Sequence, residues 1–285
     1  MSIFSGIWIP LVTPFDRGAV DHRALAALVA HYRDAGVAGL VALGTTGEPA
    51  ALTHEEQDAV IATVLDAAEG LPVVAGAAGN QTAALHARVK QLNALPLAGL
   101  LVPAPYYIRP AQAGLVAHFT GVADLSEHPV LIYNIPYRTG VRIELETLLA
   151  LAAHPRIVGL KDCGGSPDET LALILDGRLA VLTGDDPAIF TSLCMGASGA
   201  IAATAHVYPE RFVAMYRALS EGRLAQGRAI YHALAPLMRA LTSEPNPAPV
   251  KAALAALGRI SPELRAPMTA ATPELAHSLA ALLAA

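Results

Sequence analysis

The chain has 285 residues and a formal charge of −5; 54% of it is hydrophobic, 15% charged and 5% aromatic. That balance excludes a disordered chain, which needs low hydrophobicity and more charge, and a collagen-like or low-complexity fibre. The length suits one large α/β barrel or two ordinary domains, and either buries a core without staples. No basic stripe marks a nucleic-acid partner. The most apolar stretch, Ala94 to Tyr107, is broken by Pro96, Pro103 and Pro105 and falls short of the ~20 residues of a spanning helix. No membrane association is expected. Met1-Ser2-Ile3-Phe4-Ser5 has neither a basic nor an apolar leader region, so no signal peptide is expected. Cys163 and Cys194 suit a reducing, cytoplasmic setting with no need to pair.

Taken in chain order, short apolar β-branched runs alternate with helix-period segments. The runs are Ile7 to Val12, Gly39 to Leu43, Pro72 to Gly76, Ala98 to Val102, Pro129 to Tyr133, Ile157 to Lys161, Leu179 to Gly184 and Ala197 to Ile201. They read as strands buried on both faces. Pro10 removes a ladder donor from the first run, and a local bulge there would accommodate it. Between the runs, Leu25, Leu28, Val29 and Tyr32 fall at helical spacing, and Gly36 follows as a stop. Thr53 with Glu56 reads as a capping box for a helix ended by Gly70. Ser166-Pro167-Asp168-Glu169 reads as another, with proline at the first helical position. Eight strands with intervening helices predict an α/β fold, a (β/α)8 TIM barrel. After Ile201 only helical patterns remain, broken around Ser243 to Pro249 and Ile260 to Thr272. The expected division is a barrel over residues 1–205, holding the active site, and a C-terminal helical appendage over 206–285. Its Ala-rich helices suit packing against another subunit.

Barrel sites lie at the C-terminal ends of the strands. The 19 basic residues include only three lysines, Lys90, Lys161 and Lys251, so any primary-amine chemistry has three candidates. Lys161 closes an apolar run. Either burial lowers its pKa and leaves a neutral amine able to attack a carbonyl, or its stem snorkels to solvent. Lys90 reads as a solvated helix residue and Lys251 as structural. Gly44-Thr45-Thr46-Gly47 offers backbone N–H groups and hydroxyls to a small carboxylate or phosphate, or is an ordinary strand-to-helix turn. Tyr106, Tyr107 and Tyr133 are either packing aromatics or members of a proton relay. Arg138 has the fork that grips a carboxylate, a use most surface arginines lack. The ten histidines show no metal-ligand spacing, and His54 reads as a solvated helix start. Asp185-Asp186 before Pro187 reads as a helix start, not a ligand pair. No dinucleotide fingerprint is present.

Taken together, Val12-Thr13-Pro14-Phe15, Gly44-Thr45-Thr46-Gly47-Glu48, Pro105-Tyr106-Tyr107, Tyr133-Asn134-Ile135-Pro136, Gly159-Leu160-Lys161-Asp162, Gly184-Asp185-Asp186 and Glu244-Pro245-Asn246-Pro247 resemble the dihydrodipicolinate synthase / N-acetylneuraminate lyase family of Schiff-base aldolases. The likeness covers almost the whole chain. Thr45-Thr46 and Arg138-Thr139-Gly140 resemble the branch that condenses pyruvate with L-aspartate-4-semialdehyde in lysine and diaminopimelate biosynthesis; the lyase branch usually has Ser-Thr in the first loop and lacks this arginine. The resemblance implies that Lys161 forms an imine with pyruvate and that Tyr133, Thr45 and Tyr107 relay protons. Backbone N–H groups of Thr45 and Thr46 would hold the pyruvate carboxylate, and Arg138 the aldehyde's carboxylate. Gly184 and Ile201 would line the pocket. No metal and no cofactor beyond the covalent imine is implied. A homotetramer of tight dimers is implied, with Tyr107 crossing the interface. Ile108, Tyr137 and Cys163-Gly164 depart from the family pattern. The alternatives are a pyruvate-dependent aldolase or dehydratase acting on a sugar acid, and a non-catalytic keto-acid binder. A lysine-feedback site would lie near Pro49, Ala50, His54, Gln57, Asn80, Ala84 and Tyr106. Inhibited relatives carry glutamate at the position of Ala84 and histidine at that of Gln57, so weak or absent inhibition by lysine is expected.

Overall fold

The computed structural model describes residues 3–284. Met1 and Ser2, on which part of the leader-peptide reading rests, lie outside them, as does Ala285. The apolar runs form strands because their side chains are enclosed on both faces. They are β1 (Gly6–Pro10), β4 (Gly39–Ala42), β5 (Val73–Gly76), β6 (Gly99–Pro103), β7 (Val130–Asn134), β8 (Ile157–Asp162), β9 (Ala180–Thr183) and β10 (Gly199–Ile201), with β2 (Phe15–Asp16) and β3 (Ala19–Val20) inserted after the first. The eight longer strands close into a parallel barrel in the order β1-β10-β9-β8-β7-β6-β5-β4. The expected (β/α)8 architecture is borne out. Strand ends differ from the sequence reading by one or two residues, since end pairing and not apolarity sets where a strand stops.

The first strand and the hairpin after it differ from expectation. Pro10 shows no bulge against β4: it is the last residue of β1, pairs in register with Val41, and the Leu11 N–H after it still donates to the Val41 carbonyl at 2.9 Å. The register irregularity instead lies between Val130 and Leu131, where β7 meets β8. The hairpin β2–β3 was not expected. Two-residue strands carry no periodicity, but their connection, Arg17 at φ 50° and Gly18 at φ 82°, places positive φ at two successive positions. That is the condition for a tight type I′ hairpin turn.

Packing distinguishes two compact units: the described residues up to Gly6 with Pro72–Ile201, and Ile7–Leu71 with the residues from Ala202 onward. In the first, β5 to β10 run in parallel register. The helix Pro167–Asp176 starts on the expected Ser166–Glu169 capping box, with proline in its first turn, and ends at Gly177 with φ 74°. In the second, β1 pairs β4, and Gly39 faces Trp8 so closely that any Cβ would meet the indole ring. The Thr53–Glu56 capping box starts the helix His54–Ala68. The longer elements after β10 are the helices Pro209–Ser220, Leu224–Leu241, Ala248–Ala256 and Pro273–Ala284; the last two breaks fall close to where the sequence placed them, and the one between Ser220 and Leu224, where Gly222 has φ 75°, was not expected. No described helix is long and apolar enough to cross a membrane.

One histidine in the second unit ties stability to pH. His206 is fully enclosed; its Nδ1–H donates to the Ala203 carbonyl at 2.8 Å, and its Nε2 accepts the Val12 N–H at 3.2 Å. The imidazole is therefore neutral, and burial, opposed by the Ala203 bond, pushes its pKa down to about 4 from 6.5. Because the folded value lies below the unfolded one, this contribution is complete above pH 6.5 and is lost as pH falls through about 4. Its loss between pH 7 and pH 4.5 is expected to be about 2–3 kcal/mol. Urea midpoints across this range should fall less steeply in His206→Gln, whose amide oxygen still accepts from Val12. Equal slopes in the two proteins would contradict it.

Candidate active site

The barrel ladder fixes which side chains meet at the end of β8. Tyr133 on β7 and Lys161 on β8 are register partners, so both side chains leave their strands on the same face. Asn134 and Asp162, one residue further, take the opposite face. Lys161 is 5% exposed, and its Nζ lies 4.4 Å from the centroid of the Tyr133 ring. Burial holds its amine below the usual lysine range; Cys163 and Asp186 oppose this, and the Arg138 charge adds to it. The snorkelling alternative is thereby removed: the stem runs into the protein, not out of it. A depressed amine carries a larger neutral fraction at a given pH, and the neutral form is the one that attacks a carbonyl. The neighbouring Cys163 thiol is pushed up to about 12, chiefly by burial, so it stays protonated and does not compete as a nucleophile.

Asp162 and Asn134 brace this corner from behind. The Asn134 amide donates to the Asp162 carboxylate at 3.0 Å, which also accepts the Gly164 and Gly165 N–H groups at 3.1 and 3.0 Å. The Asn134 side-chain oxygen, Oδ1, accepts the Ile143 N–H at 3.3 Å. The sequence reading included both residues in motifs without giving them a task; the structure shows that they lock the ends of β7 and β8. Gly184, after β9, leaves room for the lysine. A Cβ there would sit 2.6 Å from Lys161 Cε and 2.9 Å from its Cγ. Gly184→Ala is expected to displace the amine and slow any chemistry on it by about 10²-fold. A stopped-flow or trapping rate equal to wild type would show that the stem tolerates the methyl. Ile201, the last residue of β10, is buried.

Arg138 lies in the short helix Pro136–Thr139, exposed, with its guanidinium 5.5 Å from the Tyr137 ring centroid. Tyr137 is itself exposed and does not close over the lysine from within its helix. The Tyr107 N–H donates to the Thr139 carbonyl at 3.1 Å, which joins the loop after β6 to this helix. The Tyr107 side chain is 88% exposed and its backbone has φ 71°. A tyrosine so placed is held in a conformation L-residues rarely adopt. Tyr106 is also exposed, its N–H accepted by Asn80 at 3.0 Å. Thus Lys161, Tyr133, Gly184 and Arg138 belong to one cluster of strand ends, whereas Tyr107 points to solvent.

Thr45 and Thr46 belong to the other unit, in the turn after β4. Residues Thr45–Gly47 form one 3-10 turn flanked by left-handed Leu43 (φ 56°) and Glu48 (φ 53°). The first N–H groups of such a turn have no acceptor within it. Thr46 Oγ1 accepts from the Asn246 amide at 2.9 Å, and Thr13 Oγ1 donates to the Gly47 carbonyl at 2.7 Å. Among the described residues, no cluster of three or more potential metal ligands is found. Asp186 is buried at the start of a 3-10 turn, as the helix-start reading implies.

Fold and strand-end chemistry define a class: (β/α)8 barrels with a buried lysine at the end of the sixth barrel strand. The sequence matches the Dihydrodipicolinate synthetase family over residues 3–285, and the chain belongs to that family. It is 43% identical to the 4-hydroxy-tetrahydrodipicolinate synthase of Hyphomonas neptunium over 273 residues, 94% of this chain and 93% of that one. The dihydrodipicolinate synthase of Aquifex aeolicus superposes with a TM-score of 0.95 at 35% identity, covering 99% of this chain and 97% of that one. The chloride-inhibited synthase of Acinetobacter baumannii, crystallised with pyruvate, matches at TM-score 0.95 and 34% identity, covering 98% of each chain.

Proposed function

We propose that this chain is a lyase that condenses pyruvate with L-aspartate-4-semialdehyde through a Lys161 imine, giving 4-hydroxy-tetrahydrodipicolinate for lysine and diaminopimelate biosynthesis. The observation that carries the reading is the enclosed Lys161 amine beside Tyr133, in a family whose relatives bear that activity in their names. The neutral amine attacks the pyruvate ketone carbon, and water leaves to give the protonated imine. That cation draws electrons from the methyl group, which gives up a proton and becomes an enamine. The enamine carbon attacks the aldehyde, whose oxygen takes a proton. The second substrate's own amine then attacks the imine carbon, closes the ring and releases Lys161. Tyr133, Thr45 and Tyr107 relay the protons, Thr45 and Thr46 N–H groups hold the pyruvate carboxylate, and Arg138 holds that of the aldehyde. Gly184 and Ile201 line the pocket. No metal or separate cofactor enters the scheme.

The same reading makes the protein cytoplasmic and a homotetramer of tight dimers. The exposed Tyr106, Tyr107 and Ile108 form an apolar edge that suits burial by a second copy, and Tyr107 would cross there. Residues 1–205 are proposed as the barrel domain and 206–285 as its helical region. Steady-state assays offering aspartate semialdehyde or sugar acids with pyruvate test the substrate; turnover of sugar acids alone would overturn it. Lysine is expected to inhibit weakly or not at all. Ala84 offers no carboxylate to an effector's ammonium, and a charge-assisted bond of that kind contributes about 1.5–3 kcal/mol. The Gln57 amide is already engaged, donating to the Pro49 carbonyl at 3.0 Å. Inhibition at submillimolar lysine would refute this.

A further inference from the structure

Lys251 is the other buried lysine, on the helix Ala248–Ala256, with no exposed surface. Its Nζ lies 2.5 Å from Glu48 Oε1, donates to the Glu263 carbonyl at 2.9 Å and sits 4.2 Å from the Phe15 ring centroid. Glu48 is the left-handed residue that ends the Thr45–Gly47 turn, and its carboxylate is as enclosed as the amine. Its Oε2 accepts the Arg265 N–H at 3.3 Å. Arg265 in turn grips Glu56 with both guanidinium nitrogens, at 2.7 and 2.6 Å. Two steps back along the turn, Asn246 donates to Thr46. A buried ion pair is a poor source of stability, because desolvating both charges offsets most of their attraction, and apolar residues of similar volume often pack as well. What such a pair does well is select one arrangement, here that of a turn whose flanking backbone is strained.

We propose that Glu48 and Lys251 are positioning residues: their buried contact fixes the Thr45–Thr46 turn in the orientation in which its N–H groups receive a small keto-acid carboxylate. This rests on the functional reading above for the identity of the ligand, but not for the positioning itself. The lysine is carried by the helix Ala248–Ala256 and its amine is tied to the Glu263 carbonyl in the segment after it, so the turn is set against a helix-borne group as well as against loop backbone. Asn246 holds the hydroxyl of Thr46 from the same side.

The test uses the full chain in four forms: wild type, Glu48→Gln, Lys251→Met and the double variant. Hydrogen exchange of the peptide spanning 44–51 is measured without substrate, and steady-state kinetics with pyruvate and aspartate semialdehyde. In both single variants the turn is expected to exchange about ten-fold faster, and KM for pyruvate to rise about ten-fold, while KM for the aldehyde stays within about two-fold. The double variant, which leaves no lone buried charge, should recover thermal stability yet keep the raised pyruvate KM. Unchanged exchange in the turn, an unchanged pyruvate KM in a folded variant, or recovery of both stability and KM in the double variant overturns the proposal. Should Lys251→Met fail to fold, the nearly isosteric Glu48→Gln decides alone. Faster exchange in the turn of a protein whose wild type forms no pyruvate imine would uphold the positioning pair and overturn the functional reading.

Discussion

Lys161→Ala is expected to abolish borohydride trapping of pyruvate and to reduce turnover by at least about 10³-fold, a barrier increase of about 4 kcal/mol. The expectation comes from the place of the amine, not merely its presence. Lys90 is exposed on a helix and Lys251 is locked against Glu48, so neither lysine can substitute. Both buried lysines are held by burial below the usual lysine range, but Lys251 faces the Glu48 carboxylate, whereas Lys161 faces the Tyr133 ring. Removing its side chain also removes nothing that braces the strand ends, because Asp162 and Asn134 make those bonds from the opposite face. The variant should therefore stay folded, with a thermal midpoint near that of wild type. Trapping that persisted in it would place the nucleophile elsewhere.

Tyr133→Phe isolates the hydroxyl. The ring that lies 4.4 Å from Lys161 Nζ is retained, so the amine keeps its apolar neighbour and its depressed basicity. What is lost is a phenol able to pass protons during dehydration to the imine and protonation of the aldehyde oxygen. Positioned proton transfer of this kind contributes about 10²–10⁴-fold, and kcat is expected to fall by that range. The final yield of trapped pyruvate should stay near wild type, because trapping reads imine at equilibrium and not its rate of formation. A wild-type kcat would take Tyr133 out of the relay. A lost final yield would make its hydroxyl part of pyruvate binding.

Much of the fold was legible because strands buried on both faces need no alternation; an uninterrupted apolar run is enough. The capping boxes at Thr53 and Ser166 were legible because two residues three positions apart carry the whole signal. The hairpin after β1 was not, because its strands are too short for any period, although Arg17-Gly18 held a turn signal. Lys161 was singled out from its place at the end of an apolar run. Whether it turned inward depended on the register with Tyr133, which no local pattern encodes. Lys251 is the instructive case. Its structural reading holds, but its partner Glu48 lies in a turn far away in sequence. A lysine among Val250, Ala253 and Leu254 on one apolar helix face was the available sign that a buried anion must meet it. The roles of Thr45, Tyr107 and Arg138 rest on the family likeness and on proposal.

The most direct measurement is the electron density of a crystal soaked in pyruvate. The account predicts continuous density from Lys161 Nζ to the central carbon of the ligand, with the ligand's carboxylate at the Thr45 and Thr46 amides. An amine turned from the cavity, with pyruvate unattached or bound elsewhere, would contradict it.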